Sequence, residues 1–137
     1  MAYLIGVVLA LAISGGATLI RMDRDRAFYA TVLLVVASYY ALFAVMAGSM
    51  NALLAESVPI ALFVLAAAMG FKRSAWIVVA GLIGHGLFDL VHGRLIVNPG
   101  VPVWWPMFCM AYDVTAGVYL AAILKCRRSH KVASVVQ

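Results

Sequence analysis

Apolar residues form five long runs along the chain, and short polar segments separate them. The runs cover residues 3–20, 27–47, 51–71, 75–97 and 106–124. Each has roughly the 17–25 residues that a helix needs to cross a hydrocarbon core about 30 Å thick. Helix is the expected state, because an isolated strand in lipid cannot satisfy its own backbone hydrogen bonds. The pattern therefore predicts an all-α, polytopic integral membrane bundle of five transmembrane helices.

Pro59 interrupts the third apolar run. Proline removes a helical hydrogen bond, so it either kinks the helix or stands near its first turn. In the second case the helix begins near Ser57, and the residues before it form a partly re-entrant segment. The third helix is accordingly predicted to be short or kinked at Pro59.

Lysine and arginine follow every second apolar run. Nine of the ten cations lie after the first, third and fifth runs, and the links after the second and fourth runs contain none. Because cytoplasmic loops are enriched in Lys and Arg, this alternation predicts an outside N-terminus and a cytoplasmic C-terminus. The sequence divides into one transmembrane bundle, residues 1–125, and a basic cytoplasmic tail, residues 126–137.

Composition supports this class of protein. The chain is 66% hydrophobic and 11% charged, whereas soluble domains are about 45–50% apolar and about 25% charged. The formal net charge of +5 comes from short clusters between apolar runs, so we expect contact with membrane lipids and not with nucleic acid. Cys109 and Cys126 bracket the last run and should lie too far apart for a disulfide. These features predict a multi-pass protein of the bacterial inner membrane.

The fourth run contains three ionisable side chains within eight residues: His85, Asp89 and His92. At roughly 100° per residue they fall within about 60° of one another, so they form one stripe on the helix. An Asp in mid-membrane costs about 2.5–3.5 kcal/mol even on lenient scales, so this stripe should not face lipid.

Two acids on other helices are predicted at the same depth. Asp113 lies seven residues after Pro106, about 10 Å below the outer boundary, and Glu56 lies near the outer end of the third helix. We therefore expect a polar pocket in the outer half of the bilayer, open to the outside, with Asp113 and Glu56 facing the fourth helix. Tyr39 and Tyr40 are most simply packing aromatics, although either hydroxyl could reach this pocket.

Metal binding and proton transfer are both plausible uses of such a pocket. The candidate ligands for a divalent transition metal (zinc, copper or iron) are His85, Asp89, His92, Asp113, Glu56 and Cys109. His85 and His92 are about 10 Å apart along the axis, too far for one ion without helix distortion. As catalytic residues, His85, Asp89 and Asp113 could instead move a proton on a lipophilic substrate.

Three other interpretations remain open. Buried His–Asp pairs can be hydrogen-bonded glue between helices. The polar stripe could dock another membrane protein, which would make the chain a non-enzymatic accessory or assembly subunit. The third interpretation is a metal-ion or small-solute transporter. The inner half of the predicted bundle, however, has few polar groups, and coupled transport would require an oligomer. We expect either a homo-oligomer or a partner membrane protein.

The segments "GHGLFDLVHG" and "WWPMFCMAYD" resemble a pattern in small, uncharacterised bacterial multi-pass membrane proteins. The resemblance covers mainly the last two helices, about a third of the chain. It implies a shared site without indicating what that site does.

Overall fold

The computed structural model describes residues 1–133 and contains five long helices. They are α1 (Ala2–Leu19), α2 (Ala27–Met46), α3 (Met50–Lys72), α4 (Ala75–Leu95) and α5 (Trp105–Ala133), with a one-turn 3₁₀ helix, Met22–Arg24, between α1 and α2. All five are long and apolar enough to span a membrane. The predicted all-α bundle of five apolar helices is therefore confirmed.

The fifth helix is longer than the fifth apolar run. It continues through residue 133, so the first part of the predicted basic tail extends α5. The rest of that tail, residues 134–137, lies outside the described residues.

The prediction of a short, partly re-entrant third segment is wrong. Helix α3 is continuous from Met50 to Lys72 and contains Pro59 in its interior. Its start is set by Ser49, whose hydroxyl accepts a hydrogen bond from the Ala52 backbone N–H at 3.3 Å. The residues before Pro59 remain helical because a helix satisfies the backbone groups of such an apolar segment internally.

The helices pack in an order that differs from their order in the chain. Helix α5 packs against both α1 and α4, α4 packs against α3, and α2 packs against α3 and more lightly against α4. The consecutive helices α1 and α2 are not packed closely together, and an apolar cleft of about 1380 Å³ lies between them with α5 at its floor. Residues lining this α1–α2 cleft include Ile5, Leu9, Ile13, Val32, Tyr39 and Phe108.

Glycines allow α5 to approach its two neighbours closely. A Cβ at Gly6 of α1 would collide with the Phe108 carbonyl oxygen, and one at Gly86 of α4 would lie 3.0 Å from the Met110 carbonyl oxygen. Small residues at such crossings bring helix backbones together, which favours association in lipid. These contacts hold the facing side chains of α4 and α5 at a fixed separation.

Arginines connect segments at one end of the bundle. Arg26 donates to the carbonyl oxygens of Lys72 and Arg73 at 3.3 and 2.9 Å. Arg127 pairs with buried Asp23 at 3.1 Å. The three cationic segments therefore lie together, as the alternation of charges predicts, and we call this the cationic end.

Replacing Gly6 by alanine should weaken the packing of α1 on α5. The added methyl has no room beside Phe108, and such overpacking typically costs about 1–3 kcal/mol. We expect a lower midpoint of thermal unfolding in detergent. Gly15→Ala, in the same helix with nothing within 4 Å of its Cβ position, is the matched control and should not lower it. Equal midpoints for the two variants would contradict this account.

Candidate functional site

Helix α4 presents its ionisable side chains to the interior of the bundle. His85 is 1% exposed, and Asp89 and His92 are each 2% exposed. Leu87 and Leu90, on other faces of the same helix, are at least half exposed. The predicted stripe is therefore observed, and it faces protein.

Asp113 of α5 lies directly across from this stripe. His85 Nδ1 is 2.7 Å from Asp113 Oδ2 and 3.6 Å from Asp89 Oδ2. Cys109, one turn before Asp113, places its Sγ 3.6 Å from the same Asp113 oxygen. One possible ligand atom from each of these four residues lies within 4.8 Å of the others. We call His85, Asp89, Cys109 and Asp113 the four-residue cluster.

The other two candidate ligands form a separate pair. His92 Nε2 lies 2.7 Å from Glu56 Oε1 on α3. Asn98, in the turn after α4, donates to the same Glu56 oxygen at 2.9 Å. The structure thus does not bring all six candidate ligands together. Two helical turns separate His92 from His85. Of the three stripe residues on α4, Glu56 of α3 contacts only His92, at the C-terminal end of the stripe.

Tyr40 of α2 connects the cluster to this pair. Its hydroxyl donates to Asp89 Oδ1 at 2.5 Å, and its ring stacks on His92 with centroids 3.9 Å apart. The same residue's carbonyl oxygen accepts a hydrogen bond from Asn98. The sequence favours a packing role for Tyr40, with a contact between the hydroxyl of Tyr39 or Tyr40 and the pocket as the alternative, and it does not single out Asn98. An apolar helix with adjacent tyrosines does not reveal which hydroxyl faces inward, and "NPG" is typical of an ordinary turn.

Several carboxylate oxygens are buried without a hydrogen-bond partner in the described part of the chain: Asp89 Oδ2, Asp113 Oδ1 and Glu56 Oε2. None of these acids forms an ion pair with a described Lys or Arg side chain. The cluster therefore offers two carboxylates to one imidazole, so it has more acceptor than donor capacity. Such a set is suited to holding protons or a cation.

The sequence predicts a pocket that opens to the outside. In the structure, the end of the site opposite the cationic end is closed. Tyr40, His92 and the Asn98 turn fill that end, and Gly100 of the turn packs on the Phe43 carbonyl. The large opening near the cluster is instead lateral. Cys109 belongs to the cluster and also lines the α1–α2 cleft.

One further polar group borders the cleft. The indole nitrogen of Trp105, which lines the cleft, is buried and has no hydrogen-bond partner among the described residues. The Trp105 ring contacts Tyr39 and Phe43 of α2, with centroid distances of 4.9 Å to each. These aromatic side chains provide contact between α2 and α5 beside the cluster.

No family model, curated protein or solved structure matches the chain. Its function is therefore inferred from the geometry of the site.

Tyr40→Phe should destabilise the protein more than Tyr39→Phe. The first change leaves Asp89 Oδ1 buried without its donor, and losing one partner of a buried hydrogen bond costs about 1–3 kcal/mol. The Tyr39 hydroxyl donates to no described residue, so its loss is the matched control. Thermal unfolding in detergent provides the comparison. A Tyr40→Phe midpoint equal to that of Tyr39→Phe would mean that the Tyr40–Asp89 contact contributes no stability.

Proposed function

We propose that this protein is a small membrane enzyme that acts on a lipophilic substrate, with His85, Asp89 and Asp113 as its reaction centre. The observation that carries the proposal is the position of Cys109. Its side chain contacts Asp113 and also lines the α1–α2 cleft. A buried polar centre therefore adjoins a large apolar cleft within the bundle of five apolar helices.

The energetics of the cluster support a role beyond helix packing. Hydrogen bonds between membrane helices contribute about 0.6 kcal/mol on average, whereas one ionisable side chain at mid-membrane costs at least about 2.5–3.5 kcal/mol. The cluster concentrates two acids, an imidazole and a thiol, each no more than 2% exposed. Apolar packing would hold α4 on α5 at lower cost, so a functional requirement explains the cluster better.

The cleft indicates the kind of substrate. Its volume of about 1380 Å³ exceeds the roughly 300–1000 Å³ of a typical small-molecule pocket. Aliphatic and aromatic side chains dominate its walls, and charged residues, including Arg21 and Arg24, border it near the cationic end. A long apolar molecule that enters from the bilayer matches this shape.

The reaction centre combines an imidazole with two carboxylates. Enzymes use these side chains to transfer protons to and from substrates or to hold a metal ion that activates them. His85 is held between Asp113 and Asp89, and the Tyr40 hydroxyl fixes the orientation of Asp89. Reaction at the cluster requires the substrate to displace or pass Cys109.

The proposed setting is the bacterial inner membrane, with the N-terminus outside, the C-terminus in the cytoplasm and a homo-oligomer or partner membrane protein as the working assembly. Clustering of Arg26, Arg73 and Arg127 at one end supports this orientation. The four-residue cluster would then lie closer to the periplasmic surface than to the cytoplasm.

The exposed thiol of Cys126 tests the orientation. A membrane-impermeant maleimide should modify it in disrupted cells and leave it unmodified in intact spheroplasts. A Val103→Cys variant in a Cys126→Ser background is the positive control, because Val103 is 98% exposed near the opposite end. Modification of Cys126 in intact spheroplasts would reverse the assigned orientation.

Lipid extracts from cells test the enzymatic proposal. Cells that produce the wild-type protein should deplete a lipophilic compound, and Asp113→Asn should slow this depletion by about 10²–10⁴-fold, the usual contribution of a proton-transfer group. Leu9→Trp, which fills the cleft, should also slow it. Leu62→Trp, on an exposed part of α3 away from the cleft, is its matched control.

Identical lipid profiles for the wild type and Asp113→Asn, at equal protein levels, would remove the enzymatic proposal. A stoichiometric partner protein that disperses with Asp89→Asn would favour the accessory-subunit interpretation instead.

A further inference from the structure

We infer that the four-residue cluster binds one Zn²⁺ ion, with His85, Asp89, Cys109 and Asp113 as its ligands. This inference deepens the proposed function and, as a statement about catalysis, rests on it, because a substrate or water would have to displace one of the four ligands, such as Cys109, to reach the ion. Metal content can nevertheless be measured without knowing any substrate.

The donor set favours zinc over other biological metals. One imidazole nitrogen, one sulfur and two carboxylate oxygens are all accepted by Zn²⁺ in a tetrahedral site. Mg²⁺ and Ca²⁺ prefer oxygen ligands throughout, and Cu(I) prefers several sulfur ligands. Only one cysteine lies in the cluster, since the other, Cys126, is exposed on the last part of α5.

The distances require small adjustments in both directions: His85 Nδ1 and Asp113 Oδ2, now 2.7 Å apart, must separate, and the more distant ligand atoms must approach. With zinc–ligand bonds of about 2.0–2.3 Å, neighbouring ligand atoms in a tetrahedral site lie about 3.3–3.8 Å apart. The ligand atoms of the cluster all lie within 4.8 Å of one another, and His85 Nδ1 is 3.6 Å from Asp89 Oδ2. Shifts of about 1 Å, available to side-chain rotation, would therefore bring four ligands onto one ion.

Two unpaired oxygens supply an independent indication of a cation. Asp89 Oδ2 and Asp113 Oδ1 have no hydrogen-bond partner among the described residues, although the two side chains are 2% and 0% exposed. As ligands, the two carboxylates and the Cys109 thiolate carry three negative charges, and a divalent cation would offset two of them in a region where no described Lys or Arg pairs with the acids. Acids buried without a cationic partner commonly coordinate metals.

Tyr40 prepares Asp89 for this role. Its hydroxyl donates to Oδ1, which leaves Oδ2, the oxygen nearer His85, available to a metal. Hydrogen bonds of this kind orient ligating carboxylates, and their removal typically weakens metal binding by 10–100-fold. The same hydroxyl interaction is absent from the His92–Glu56 pair, which offers only two ligand residues.

Metal analysis of the purified protein tests the assignment. After incubation with Zn²⁺ and removal of unbound ion, the wild type should retain about one zinc per chain. His85→Gln and Asp113→Asn should weaken retention by at least tenfold, and Tyr40→Phe by about 10–100-fold. Glu56→Gln is the matched control, because it changes an equally buried acid that faces His92 instead of the cluster, and it should retain zinc.

Cobalt substitution identifies the sulfur ligand even if the acid variants fail to fold. Co²⁺-loaded wild type should show a thiolate-to-cobalt charge-transfer band. Cys109→Ser should lose this band, whereas Cys126→Ser should keep it.

Three results would overturn the assignment: no zinc above the Asp113→Asn level in the wild type, equal loss of zinc in Glu56→Gln, or bound cobalt without the thiolate band. A wild type that lacks metal but still depletes a lipid relative to Asp113→Asn would refute the zinc site and leave the proposed enzyme intact. A wild type that retains zinc but gives the same lipid profile as Asp113→Asn would support the zinc site and refute the proposed enzyme.

Discussion

The cost of burying polar side chains among apolar helices is the constraint on which this structure depends. An ionisable residue buried in such a bundle needs a partner within the protein. That requirement turns the ionisable residues of α4 inward, and it brings α5, α3 and α2 to them with Asp113, Glu56 and Tyr40 respectively. The buried polar contacts thus specify which helices are neighbours, while glycines such as Gly86 allow the close approach that those contacts need.

Much of the fold could be predicted from the chain alone. Run lengths locate all five helices, because crossing a bilayer requires a nearly fixed number of apolar residues. The start of α3 could not be located in the same way. Pro59 suggests a boundary near Ser57, but Ser49 caps the helix and its first residue is Met50. The cap marks where the helix starts, and the apolar residues before Pro59 are helical despite the proline.

The depth of the site and several of its residues could be predicted from the sequence. The separation of these residues into two groups could not. Helical periodicity places His85, Asp89 and His92 on one face, and the distance of Asp113 from Pro106 places it at a matching level. Periodicity does not indicate which neighbouring helix each side chain will meet. That choice depends on packing order, which puts α5 beside His85 and α3 beside His92. It also depends on Tyr40, whose inward direction no pattern in α2 reveals.

The position of α1 has a consequence for how the chain is assembled. Within the described bundle this first helix packs on α5, the last one to be synthesised, and not on its immediate successor α2. Its principal partner therefore does not exist until the ribosome has completed nearly the whole chain. In a membrane, α1 would therefore lack its main packing partner until α5 is made, and residues 20–26 would connect it to the growing protein. The wall of the cleft that α1 provides is accordingly completed at the end of biogenesis.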